Sequence, residues 1–315
     1  MVDLTNVNPV TQSEENKAVN RGLTKAPYPY VTGLELKGDI SLGNLTLNTI
    51  DENGVVWVCT DLEGWWQHPE PVFNDLPRGL GDGSYDVRGR YSARVITLNG
   101  VFLTPDASYV QAARDKLAMA ANLVYSGAWL VAKEGPDKAA WVRLSGQPKI
   151  TTVNARGRTE FTIGLKAGDP IKYEWFGAAD LYDDTPAPLY AKNTSAGHTG
   201  SVTVINKGNV KVPVSFEING TLTSSASSPA KIKNITRNET IEIVSAQGGS
   251  DVLSVDTYNR EVLFNDSALN ARSRVGILAE WIYLDPGENI LTFEDTSNSG
   301  SSAVCNIFFR SGWIA

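Results

Sequence analysis

The feature that most constrains this chain is a rhythm of short apolar runs closed by Gly, Asn or Pro turns, broken by helical spacing in one place only. Leu45 and Leu47, then Val55, Trp57 and Cys59, alternate with polar residues across Asp51-Glu52-Asn53-Gly54. Asn-Gly between alternating segments is a strong hairpin signal. Arg90 to Thr104 reads as extended, with Tyr91, Ala93 and Val95 on one face and a turn expected at Asn99-Gly100. Two further hairpins are expected. Trp129–Glu134 faces Ala139–Leu144, and Ile150–Asn154 faces Thr159–Leu165.

The exception begins at Thr104-Pro105-Asp106, which supplies a capping hydroxyl, a proline for the first helical position and an acid for the first turn. Val110, Ala113, Leu117, Ala120, Ala121 and Val124 then recur at helical spacing up to Gly127, which predicts a helix of about twenty residues lying on a sheet. Between Trp66 and Asp86 the chain is rich in Pro and Gly. An irregular segment of that length inside a domain reads as an interaction loop.

At 315 residues the chain exceeds what one core usually supports, so two domains are expected. Residues 1–33 read as an extended arm, 34–175 as a domain of strands with one long helix, 176–199 as a linker and 200–315 as an all-β sandwich. The fold class is mainly β: a β-sandwich-like first domain with its helix, then a jelly-roll or galectin-like sandwich. In the second domain the strand signals are Val202 and Val204, Val212 to Ile218, Ile232, Ile241 and Ile243, Val252 to Val255, Val262 to Phe264, and Ile307 to Phe309.

A formal net charge of −7, with no run of five like charges, argues against phosphate neutralisation and against docking on anionic lipid. No stretch reaches the length of a membrane span, and the first 33 residues lack the apolar core of a secretory leader. Triplets such as Asn219-Gly220-Thr221 therefore signify only surface polarity. Cys59 and Cys305 are expected as buried free thiols rather than a disulfide.

Chemistry is sparse. His68 and His198 both sit in loops without a second ligand at metal spacing. Gly81-Asp82-Gly83-Ser84-Tyr85-Asp86 resembles part of a calcium loop but lacks the closing Glu, so a turn is expected. The linker acids Asp180, Asp183 and Asp184 read as solvated. No Gly-rich phosphate loop joins a strand to a helix. We therefore expect no catalytic residue, no metal and no cofactor. Tyr28 and Tyr30, beside Pro27 and Pro29, are apolar enough to dock, either in the same subunit or on a neighbour. With Trp65 and Trp66 beside the Pro/Gly loop they form the candidate interface. Trp281 and Trp313 are the candidate sugar-stacking aromatics.

Three segments in this order resemble the distal tail protein family of siphophages, the minor tail proteins of long-tailed phages. They are Val55-Val56-Trp57-Val58-Cys59-Thr60-Asp61-Leu62-Glu63-Gly64-Trp65-Trp66 with Gly81-Asp82-Gly83, then Phe161 through Tyr173, then Ile205-Asn206-Lys207-Gly208-Asn209 with Val255 through Val262 and Trp281 through Asn289. The resemblance covers roughly residues 34–315 and implies an actinobacterial host. It implies a non-enzymatic, homohexameric ring at the distal end of the tail tube, in a virion assembled in the host cytoplasm. First domains would surround a channel for DNA and second domains would project. Implied partners are the tail tube protein, the tape measure protein, the tail-associated tip protein and other minor tail proteins. Sequence-specific nucleic-acid binding is not implied. Two other readings stand beside it: a host-surface carbohydrate-binding tail module, and a sandwich hydrolase with two facing carboxylates.

Overall fold

In the computed structural model, the described residues are 39–152, 158–175, 189, 190, 192, 193, 200–265, 270–295 and 301–315. Tyr28, Tyr30 and the rest of the arm, His198 and the linker acids lie outside them. The chain forms two compact units, residues 1–175 with 314–315, and residues 176–313.

The first unit is built on β1 (Ile40–Leu42), β2 (Leu45–Leu47), β3 (Thr49–Ile50), β4 (Val56–Glu63), β5 (Pro71–Val72), β6 (Leu76–Pro77), β7 (Ser84–Tyr85), β8 (Arg90–Tyr91) and β9 (Arg94–Leu103). The helix α1 (Val110–Ala120) follows, then β10 (Ala128–Ala132), β11 (Lys138–Leu144), β12 (Lys149–Thr152), β13 (Arg158–Ala167) and β14 (Lys172–Glu174). The main sheet runs β2-β1-β10-β11-β13-β9-β4-β3, with β12 against β13 and β14 against β11. Its spine is the antiparallel pair β9–β13, in register from Arg94↔Ala167 to Leu103↔Arg158. Alternation makes this register unambiguous, because a slip by one residue would turn Ile96, Leu98 and Phe102 to water. Leu42 and Leu47 from one end of the sheet and Trp57 and Leu62 from the other join one core with Ile96, Leu98, Phe161 and Ile163. The sheet thus folds over itself, and α1 adds Ala113 and Leu117 to the same core.

Several local expectations need correction. α1 is eleven residues long, preceded by a 3₁₀ turn at Ala107–Tyr109, and does not run on to Gly127. The chain leaves the helix so that Leu123 can enter the core, which puts Val124 in solvent. Asp106 caps the 3₁₀ turn, its carboxylate accepting from the Ser108 amide at 2.7 Å, whereas α1 itself has no side-chain cap and Thr104 is buried just past the preceding strand. Asn99-Gly100 makes no turn: both lie inside β9, paired on either side by β4 and β13. The turn at Asp51–Gly54 joins β3, not β2, to β4, because Asn48 (φ +53°) breaks the strand between β2 and β3. The Asn48 side chain repairs the break by accepting from the Cys59 amide at 2.8 Å. Both cysteines are free; Cys305 is buried, but Cys59 is only half-buried, on a β4 interrupted by a bulge between Cys59 and Asp61.

Asp51 ties the turn to the helix. Its carboxylate accepts from the Asn53 and Val55 amides, from Trp57 Nε1 at 3.0 Å, and from Lys116 Nζ of α1 at 2.9 Å. Burial works to raise this carboxyl, yet the hydrogen bonds and the Lys116 charge hold it below the usual range.

The second unit comprises β15 (Leu189–Tyr190), β16 (Lys192–Asn193), β17 (Gly200–Asn206), β18 (Val212–Pro213), β19 (Ser215–Asn219), β20 (Ala230–Asn234), β21 (Glu239–Ile243), β22 (Val252–Asp256), β23 (Glu261–Phe264), β24 (Tyr283–Leu284), β25 (Gly287–Asp295) and β26 (Val304–Phe308). One sheet runs β15-β26-β19-β22-β23. The other runs β16-β25-β20-β21, with β17 also on β25. Alternate residues of both are buried: Phe216, Ile218, Val255 and Ile307 in the first, Val204, Ile232, Ile241 and Phe293 in the second. This is the expected all-β sandwich.

Buried polar side chains fasten its connections. Asn206 donates to Val210 O and accepts from the Gly208 and Gly312 amides, while Asn209 N donates to Gly312 O. At Gly208 a Cβ would stand 1.7 Å from Gly312 O, so the crossing admits no side chain. Thr257 Oγ1 donates to Val214 O at 2.6 Å, and Asn289 closes the Asp285–Gly287 turn through Nδ2.

Asp51→Asn should destabilise the first unit by about 1–3 kcal/mol at neutral pH, the cost of weakening a buried charged acceptor. The wild-type carboxyl titrates lower folded than unfolded, so its contribution is present above the unfolded value of about 4 and fades as pH falls through the folded one. Urea denaturation of both proteins between pH 3 and 7 should show the difference shrinking toward the acid end.

Candidate interaction arm and its anchored root

Between β4 and β9 the chain leaves the sheet as an arm, not as the irregular loop expected. β5 pairs with β8, and β6 with β7 beyond it, so the arm is a hairpin in two steps. Gly81 and Gly83 adopt positive φ at the tip, where Arg78 N donates to Gly83 O at 3.2 Å. The Gly81–Asp86 segment therefore forms that turn and the strand leaving it. Among the described residues no three His, Cys, Asp or Glu side chains gather as a metal site would need.

The arm buries little of its own apolar surface. Phe73, Leu76 and Tyr85 are each about 60% exposed, and Leu80 at the tip is fully exposed. Arg78 stacks on Tyr85, and His68 lies near Tyr91. Two short ladders cannot form a core of their own, so these large apolar side chains stay displayed to solvent.

Its root is built differently. Gly64 (φ +82°) makes the corner out of β4, and a Cβ there would lie 2.1 Å from Val95 O. Trp65 turns inward and is fully buried, whereas Trp66 turns outward and is more than half exposed. Arg94, the first residue of β9, is also buried. Its Nη1 donates to Gly64 O, Trp65 O and Gln67 O at 3.0, 3.1 and 2.7 Å. Nε donates to Pro170 O at 2.9 Å and Nη2 to Ile314 O at 2.5 Å. Lys172 of β14, fully buried, donates to Trp65 O at 3.0 Å and lies over the Trp65 ring at 4.8 Å. Trp65 Nε1 in turn donates to Glu134, which Lys138 pairs at 2.7 Å.

Burial pushes Lys172 down to about 8, against the attraction of Glu134, and Arg94 down to about 10, against that of Asp169. Glu134 is held below its usual range: burial opposes this, but hydrogen bonds from Lys138 and Trp65 and the Lys172 charge prevail. This arrangement holds backbone in place. Burial also pushes the Cys59 thiol up to about 11, which makes it a poor nucleophile.

Of the residues singled out in the sequence, Trp65 belongs to the root and Trp66 to the exposed base of the arm. Trp281 and Trp313 are both half-buried in the second unit, and the Arg272 guanidinium covers the Trp281 ring at 5.2 Å. Sequence reading missed Arg94 and Lys172, which look like ordinary surface cations at strand ends. Their inward parity with Ile96 and Leu98, and with Glu174, was the available signal.

Residues 207–313, within the second unit, match the family model of the siphovirus-type tail component, C-terminal domain. Comparison of the whole chain with solved structures then finds the fold of SPP1 Dit, with 12% identity and a TM-score of 0.54 over 80% of this chain and 92% of that one. The resemblance to siphophage distal tail proteins read from the sequence holds in both comparisons, and at that identity the structural likeness is one of fold. Chains of the Phage P2 baseplate in its activated conformation also align, with Ca at 9% identity (TM-score 0.42, 82% of this chain, 92% of that one) and with Sr at 10% (0.41, 83% and 92%). Curated protein sequences gave no match.

Arg94→Met should cost at least about 3 kcal/mol by chemical denaturation, since it strips a buried charged donor from five carbonyls. Arg94→Lys should recover only part of that, because three ammonium donors cannot reproduce the guanidinium fork. Lys172→Met tests the other cation. The unfolded chain binds its proton up to about 10.4, the folded one only to about 8. Wild type should therefore gain stability relative to Lys172→Met as pH rises from 8 to 10, by up to about 3 kcal/mol; a flat difference would contradict the assignment.

Proposed function

We infer that this protein is the hub of a siphophage tail tip, a ring of six copies at the distal end of the tail tube. The observation that carries this reading is the tail-component domain at residues 207–313 in a chain whose first unit extends an apolar arm from a locked root. SPP1 Dit, which shares the fold, is described as a paradigm of the hub adsorption apparatus of phages infecting Gram-positive bacteria.

A ring arises when one surface of a subunit meets a different surface of the next and the rotation closes. The arm supplies one such surface. Phe73, Leu76, Leu80 and Tyr85 lose water on contact, and the anchored root fixes the direction in which they are offered. A pre-set direction reduces the ordering cost of association. The first units then surround a channel through which DNA passes. The ring joins the tail tube protein, the tape measure protein, the tail-associated tip protein and other minor tail proteins. A net charge of −7 suits a passage through which DNA moves without adhering. The role is mechanical, with no bond made or broken.

Light scattering on the purified chain tests the ring. A mass near six copies is expected, falling toward one copy when Leu80 and Phe73 are both replaced by Ser, with the circular dichroism spectrum unchanged. A wild-type chain that remains single at high concentration would sink the reading.

A further inference from the structure

The first unit carries a second apolar surface that the ring reading does not use. Trp129 of β10 and Trp141 of β11 stand opposite each other across the ladder, ring centroids 5.2 Å apart and edge to face. Trp175, just past β14, lies 5.5 Å from Trp129 with its plane tilted by 52°. All three are on the outer face of the sheet, which they share with Ala139 and Val131, themselves directly paired. Small side chains on an outer face would normally meet water, yet Ala139 is fully covered and Val131 almost so. Trp141 keeps 45% of its own surface exposed. Rings set at steep angles leave notches between them instead of one flat platform. Such notches suit a segment that presents rings in turn better than they suit the flat face of a sugar.

The chain contains such a segment at Pro27-Tyr28-Pro29-Tyr30. Proline fixes its own φ and biases the residue before it toward extended backbone, which favours polyproline II, the conformation that aromatic grooves recognise. Chain length permits the contact within one subunit. Asp39 O accepts from Lys133 N at 2.7 Å, on the strand that bears Trp129. From Lys133 to Trp129 is about 13 Å along β10 at roughly 3.3 Å per residue. Residues 31–38, when extended, span up to about 26 Å. We propose that the outer tryptophan face of β10, β11 and β14 is the docking site for residues 27–30 of the same chain. The contact does not depend on how copies associate.

A photo-crosslinking amino acid at position 28 of the full-length chain tests this at a dilution where light scattering finds single copies. Mass spectrometry should find the crosslink within the same chain, in peptides containing Trp129, Trp141 or Trp175, and its yield should fall about tenfold in Trp141→Ser. Crosslinks elsewhere, crosslinks only between chains, or a yield unaffected by Trp141→Ser would overturn it. Should Trp141→Ser fold poorly, Pro29→Gly leaves the sheet untouched. Trypsin should then cut after Lys25 about tenfold faster than in wild type, and an unchanged rate would equally overturn the proposal.

Discussion

A buried guanidinium that donates to main-chain carbonyls organises the first unit. Arg94 spends its donors on main-chain carbonyls from the corner after β4, from the turn before β14 and from Ile314. Carbonyls that leave regular structure need donors, and a guanidinium supplies several from one rigid plane. The result is a junction where segments distant in sequence share one charge. Lys172 reinforces it from a neighbouring strand and donates to the same Trp65 carbonyl. Burying two cations is costly, and burial is the main reason that both titrate below their usual values. Glu134 and the backbone dipoles offset that cost, and precision at the base of the arm is what results.

The second unit achieves order through neutral fasteners. Asn206, Thr257 and Asn289 are buried, and each bonds backbone at a place where the chain changes sheet or turns back. These side chains belong to the segments that carried the family resemblance in the sequence.

How much was legible follows from how local each signal is. Alternation located β9, β10, β11 and β13, and the hairpin partners of β10 and β13 were read correctly, because period two and turn residues are local signals. β25, which pairs β17 and β20 in the second sheet, was not read as a strand. Its buried positions include Asn289, Thr292 and Asp295, whose polarity masks the pattern. The helix was drawn too long because Ala120, Ala121 and Val124 kept the period, while the competing demand of the core for Leu123 is a tertiary effect. The two-step arm was read as a loop since each of its ladders is two residues long. Trp129, Trp141 and Trp175 were overlooked because their proximity depends on strand order, which no local pattern reveals.

The corner at Gly64 divides the first unit into two regimes of evolutionary freedom. Inside it, Trp65, Arg94 and Lys172 are each committed to several partners, so a change at one strands the others. Outside it, the side chains of β6, β7 and the tip touch little but solvent and one another. Lineages can rewrite that outer hairpin to suit a new neighbour while the sheet beneath remains unaltered. Divergence in such proteins should accumulate from the tip inward and halt abruptly at the glycine.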